Sequence, residues 1–209
     1  DQELKERRVA SYRKMEQQQV YSRSQKRSSG HTNLRYAFGK GPFLGDITEQ
    51  RVEAIVNSAD QSLSNQGGIS SAIHHVAGPE LAVACQQLKG CAEGEAKVTP
   101  GFNLPAPWVI HTVCPPWQGG NQGEIQTLAQ CYENCLNLAV LKNFRVIAFP
   151  AIGTGALGFP VQIAARVAFE TIGRFLFQTT EIGQVLIVCS EEKTLQVYQT
   201  EFERISGWQ

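Results

Sequence analysis

VEAIVNSADQSLSNQGGISSAIHHVAG, Val52–Gly78, changes character twice. An apolar run, VEAIV, passes into small and polar residues that include Gly67 and Gly68, and from Ile69 the apolar residues recur at helical spacing. The order strand, glycine loop, helix opens a unit of an α/β fold, in which the helix crosses back over the sheet. The first amides of a helix lack intrahelical partners and lie at the positive end of its dipole, so the start of this helix suits an anion. Glycines there allow the main chain to approach it closely.

The same alternation continues on both sides. LRYAFG and GPFLG read as a first hairpin or a pair of edge strands, and PELAVACQQLKG as a helix opened by Pro79. AKVTPGF and WVIHTVC read as strands. EIQTLAQCYENCLNLAVLKN is a helix with Ile125, Leu128, Tyr132, Leu136 and Ala139 on one face. RVIAFPA and QVLIVC are buried strands, with VQIAARVAFETIGRFLF as the helix between them and EEKTLQVYQTEFERI as a closing helix. Continuously apolar strands separated by long helices predict a three-layer α/β/α domain with a mostly parallel central sheet.

Composition fits one well-buried domain plus an appendage: 209 residues, 42% hydrophobic. No apolar run approaches the ~18 residues of a membrane span, so no membrane partner is expected. The 19 basic residues balance the 19 acidic ones, and no specific nucleic-acid site is evident. Residues 1–30 hold eight Lys/Arg against four Asp/Glu, a local charge of +4, and read as a basic N-terminal arm or surface helix before a domain over 31–209. A chain that opens on Asp1 rather than Met is expected to be a piece of a longer protein. Six cysteines with no C-x-x-C pair and no secretory signal read as reduced thiols, Cys131 and Cys135 as packing residues, and the location as cytoplasmic or otherwise intracellular. Nothing in the pattern calls for a metal or a cofactor.

A second glycine loop, AIGTGALGFP at 151–160, also follows a buried strand and precedes a helix, offering Gly153, Gly155 and Gly158 with the Thr154 hydroxyl. Neither loop is a Walker sequence or a dinucleotide fingerprint, and either alone is a tight connection. Two of them at one end of a sheet can enclose a diphosphate. In GDIT, Gly45–Thr48, Asp46 is placed to cap a helix, or to accept a hydrogen bond from an exocyclic amine.

GDIT, VNSAD with a glycine-glycine-apolar turn, AIHHVAGPEL, GEAKVTPGFNLPAPWVIHTVCPPW and FPAIGTGALGFP, in this order and spacing, resemble the macrodomain family over roughly residues 34–205. The resemblance implies binding of ADP-ribose or of ADP-ribosylated protein. Asp46, with the Ile47 backbone, would take the adenine amino group. Gly67, Gly68 and Ile69 would give amides to the diphosphate together with Gly153, Thr154, Gly155, Ala156 and Leu157. Asn57 keeps the first position of the family's N-x-A-N motif, as much structural as ligand-facing.

Two positions depart from the members that remove ADP-ribose from acidic side chains. Asp60 stands where N-x-A-N has its second Asn, and Ser70 where V-D-G has its Asp. Asp60 can accept from the distal ribose hydroxyls but cannot donate as an amide does, and Ser70 cannot act as a carboxylate toward a water. The family's aromatic residues near the distal ribose and on adenine are also missing: Leu157 stands at one, and Lys193, Thr194 or Leu195 at the other, with Tyr198 about a turn late. His74, His75 and His111 read as packed or surface histidines, and Phe102, Trp108 and Trp117 as packing. Three functions remain open: a module that binds without rapid turnover, a hydrolase of ADP-ribosyl derivatives with Asp60 or a substrate phosphate in the missing role, and an interaction domain that does not use the pocket.

Overall fold

Two adjacent parallel strands carry the two glycine loops. In the computed structural model, which describes residues 38–206, β2 (Ala54–Ala59) pairs parallel with β5 (Val146–Pro150) through Ala54↔Ile147 and Ile55↔Ala148. The sheet has six strands in the order β1-β6-β5-β2-β4-β3, completed by β1 (Phe43–Leu44), β3 (Ala96–Pro100), β4 (Trp108–Val113) and β6 (Gln184–Cys189). Every neighbouring pair is parallel except β3 with β4. Those two are joined by residues 101–107, too short for a crossover, so the chain turns back antiparallel.

Side chains alternate between two cores, as strand geometry requires. Val56, Ile110, Ile147 and Phe149 face the core shared with α3 (Glu124–Leu141), α4 (Val161–Gln178) and α5 (Glu192–Ser206). Ile55, Val109, Val146 and Ala148 face the core shared with α1 (Gly68–Ala77) and α2 (Pro79–Gln87). These are the three layers expected. Gly78, at φ +91°, separates α1 from α2, and Pro79 starts the second helix where its missing N–H costs nothing.

Two local expectations are corrected. Of the expected first hairpin or pair of edge strands, the second segment supplies the edge strand Phe43–Leu44, parallel to β6 at Val188–Cys189, while residues 38–42 form no strand. Residues 34–37 of that expectation and the basic arm of residues 1–30 lie outside the described residues. On α3, Leu128, Tyr132, Leu136 and Ala139 are fully buried, but Ile125 packs at the margin and Cys131 and Cys135 complete the inner face. All six cysteines are free and buried.

Phe149 is fully buried on β5 and its ring lies 5.1 Å from that of Tyr132. Phe149→Ala removes this packing under the second glycine loop. The expected loss is about 3–5 kcal/mol of unfolding free energy, read from urea denaturation curves; a loss below about 1 kcal/mol would contradict the packing described.

Candidate functional site

The chain leaves β2 toward one side of the sheet and β5 toward the other, so the loops that follow them flank a topological switch point. The first is organised by Asp60. Its Oδ1 accepts from the Ser62 amide and hydroxyl, and its Oδ2 from the Ser64 amide and hydroxyl. Burial opposes the charge, but these four hydrogen bonds outweigh it and hold the carboxyl below its ordinary range. Leu63, at φ +58°, turns into the core between the two serines.

The loop then delivers Gly67 and Gly68, at φ +76° and +45°, to the start of α1. The amides of Gly67, Gly68, Ile69 and Ser70 donate to no acceptor among the described residues, and the first bond of the helix is Ser71 N–H to the Gly67 carbonyl. A Cβ added at Gly67 or Gly68 would meet nothing within 4 Å. The helix start is therefore bare and open.

The second loop is built the same way. The Gly158 amide bonds the Gly155 carbonyl and the Phe159 amide the Gly153 carbonyl, while the amides of Gly153, Gly155, Ala156 and Leu157 have no acceptor among the described residues. Gly153 lies at φ +85° with the Phe159 ring 3.0 Å from where a Cβ would sit, so only glycine fits there. The loop is braced from β4's side: Trp117 donates its amide to the Leu157 carbonyl and packs its ring 5.1 Å from Phe159. The Thr154 hydroxyl, expected to face a ligand, instead donates to the Ala151 carbonyl at 2.8 Å and tightens the turn.

Asp46 follows β1 at the same edge of the sheet. Its Oδ1 caps the short 3-10 helix Ile47–Glu49 by accepting from the Thr48 amide at 2.8 Å and hydroxyl at 2.7 Å. Its Oδ2 has no partner among the described residues, and neither has the Ile47 amide. Of the residues considered for stacking on a base, Thr194 and Leu195 are buried and Tyr198 is wholly enclosed, its ring against Phe169 at 5.8 Å; Lys193 alone is exposed.

Beneath the first loop lies a polar chain that residue patterns did not reveal. Asn57 is fully buried and its Nδ2 donates to Ser70 Oγ at 3.3 Å and to His111 Nδ1 at 3.2 Å. Ser70, 1% exposed, donates to the Ser64 carbonyl at 3.0 Å. His111 Nε2 lies 2.8 Å from Thr99 Oγ1. Burial, with His74 nearby, pushes the His111 imidazole down to about 3, so it is neutral. Burial also lowers His74, against the pull of Asp60. Ser62 and Ser64 were legible as the second and fourth residues after an Asp, the spacing of side-chain capped turns. Asn57 and His111 pair across β2 and β4, and nothing in either strand alone announces it.

The comparisons with known proteins agree with this architecture. A family model described as "Macro domain" matches residues 56–168. A macro domain-containing protein of Chlorobaculum tepidum is 50% identical over 154 residues, covering 74% of this chain and 90% of that protein. A Klebsiella pneumoniae protein named O-acetyl-ADP-ribose deacetylase is 48% identical over 160 residues, covering 75% and 91%. A variant of the Oceanobacillus iheyensis macrodomain, solved with ADPR, superposes with a TM-score of 0.75 at 38% identity, covering 78% of this chain and 90% of that one. A mostly parallel sheet covered by helices on both faces, with unbonded amides in the loops at its switch point, defines a three-layer α/β/α domain. The chain belongs to the macro domain family.

Asp60→Asn should weaken the first loop, because an amide nitrogen cannot accept from a Ser pair. The expected cost at pH 7 is about 1 kcal/mol, kept small by solvent screening. Asp60's folded pKa lies below its unfolded value, so its stabilisation is complete above about pH 4 and is lost as pH falls through the folded pKa. Unfolding curves of the two proteins should therefore converge on acidification. A gap that stays constant or widens as pH falls would contradict this reading.

Proposed function

We propose that this protein is a reader of ADP-ribose, free or attached to protein, that binds without rapid turnover. The observation that carries the reading is the pair of unsatisfied amide rows, Gly67–Ser70 and Gly153 with Gly155–Leu157, on loops that follow adjacent parallel strands. A diphosphate between them accepts several charge-assisted hydrogen bonds, each contributing roughly 1.5–3 kcal/mol. A few of these with base burial suffice for micromolar binding. Asp46 Oδ2 and the Ile47 amide are the polar groups left for adenine, and aliphatic packing takes the place of an aromatic stack. Both oxygens of Asp60 already hold two donors, so its part is to shape the loop beside the distal ribose. Ser70 points inward and supplies no general base. We assign the binding domain to residues 31–209, and six unpaired thiols support an intracellular setting.

One observation favours a second reading. The Klebsiella pneumoniae relative carries the name O-acetyl-ADP-ribose deacetylase, so hydrolysis of that ester, with a substrate phosphate or Asp60 in the role of the missing carboxylate, is the enzyme alternative. Incubation of O-acetyl-ADP-ribose or ADP-ribosylated protein with excess protein separates the two. Substrate that stays intact over hours while ADP-ribose gives a calorimetric isotherm supports the reader; prompt release of acetate or ADP-ribose supports the enzyme.

Calorimetry on two variants tests the placement of the ligand. Gly155 needs no left-handed backbone and a Cβ there meets nothing within 4 Å, so Gly155→Glu should keep the wild-type Tm while its carboxylate fills the amide cradle and abolishes binding. Asp46→Ala should weaken ADP-ribose by roughly tenfold, the loss of a charged hydrogen bond. Wild-type affinity in both variants would remove the site assignment.

A further inference from the structure

The buried chain beneath the first loop has a direction, and it is set from one end. The Ser64 carbonyl can only accept, so the Ser70 hydroxyl, 3.0 Å away, spends its single proton there. Ser70 Oγ must then accept from Asn57, which fixes the amide group facing it as the donor Nδ2. The same Nδ2 faces His111 Nδ1 at 3.2 Å, so that ring nitrogen carries no proton. In a neutral imidazole the proton is then on Nε2, where Thr99 Oγ1 lies 2.8 Å away to accept it, with Cys85 Sγ more distant at 3.8 Å. Each bond has one allowed sense, and no member of the chain can reverse without breaking the next. The sheet register supports it: Asn57 and His111 are direct partners across β2 and β4, and Thr99 lies on the neighbouring β3.

Ser70 is the third residue of α1 and follows directly on the Gly67–Ile69 amides. Holding it from two sides, by the Ser64 carbonyl and by Asn57, fixes both the height at which α1 begins and the path of the loop before it. We propose that His111 is a positioning residue for the ligand site: by accepting at Nδ1 it locks the Asn57 amide, which holds Ser70 and so aims the amides at the start of α1. This rests on the ADP-ribose reading above for the identity of the ligand. His111 touches no ligand and takes no part in chemistry. Burial, which keeps the ring neutral, serves the arrangement by preserving the acceptor.

Three substitutions separate positioning from packing. His111→Asn keeps an acceptor oxygen where Nδ1 stands and loses the contact to Thr99. His111→Gln reaches the Nε2 position and loses the acceptor for Asn57. His111→Phe loses both polar contacts and keeps a ring. If His111 acts through Asn57, ADP-ribose affinity falls about tenfold in the Gln and Phe variants, one orienting hydrogen bond's worth, and stays within about twofold of wild type in Asn, whatever the three Tm values. Affinity that follows Tm, with Asn as weak as Gln, overturns the proposal, as does unchanged affinity in Phe. In the wild type, nitrogen-15 spectra should show His111 protonated at Nε2 and bare at Nδ1 across neutral pH; the opposite tautomer also overturns it. Should the wild type give no heat with ADP-ribose, the reader function fails by itself. The positioning claim is then read from amide hydrogen exchange at Ser71, whose N–H bonds the Gly67 carbonyl, and at Ala72 and Ile73, the next amides of α1. Faster exchange in Gln and Phe but not in Asn supports it, and equal exchange in all three refutes it.

Discussion

Everything at the candidate site depends on β2 lying directly beside β5. That contact joins residues about ninety apart in sequence, and a buried carboxylate secures it. Glu53, just before β2, accepts from the amides of Arg145 and Val146 with one oxygen, while its own amide bonds the Val146 carbonyl. Removing a charge from water is costly unless it is met by several donors, and here the donors include the Arg145 amide just before β5 and the Val146 amide at its start. The clamp thus sets where β5 starts relative to β2, and hence where both glycine loops emerge. Because the chain departs from the two strands in opposite directions, the loops open a crevice between them.

The two loops line that crevice with main-chain dipoles. Neither 60–70 nor 151–160 contains a Lys or Arg, so these loops would meet an anion with main-chain N–H groups and the N-terminus of α1. Such a cradle is already oriented before the ligand arrives and spends no side-chain entropy on it. It is also sensitive to stray negative charge: two like unit charges 4 Å apart repel by about 4 kcal/mol at an effective dielectric of 20. Asp60 is the acidic residue within these loops, and its carboxylate is turned onto four serine donors.

Much of this was legible in the sequence, for identifiable reasons. Strand, loop and helix order follows from apolar periodicity, and the two loops could be placed at one sheet edge because parallel strands all end there. β1 was harder: its partner is β6, nearly at the other end of the chain, and a two-residue edge strand carries no period of its own. Ile125 lies in the first turn of α3 and packs against the core only partly buried, so a correct period does not give the degree of burial. Thr154 shows the limit for loops. No periodicity says whether a loop hydroxyl faces outward, and the carbonyl three residues back wins it. The chain from Ser70 to Thr99 depends on the register of three strands, which only the folded sheet supplies.

The two departures from the family pattern, Asp60 and Ser70, look independent in the sequence and are not. Asp60 fixes Ser64 through its amide and hydroxyl; the Ser64 carbonyl takes the proton of Ser70; Ser70 accepts from Asn57. An aspartate at position 70 would present lone pairs to the Ser64 carbonyl, where a donor is required, and would be buried beside it. An asparagine at position 60 would lose one of its two acceptors for the Ser pairs that place that carbonyl. Asp60 therefore supports a serine at position 70 by placing the carbonyl that takes its proton. A carboxylate at position 70 alone would thus face the Ser64 carbonyl that Asp60 holds in place.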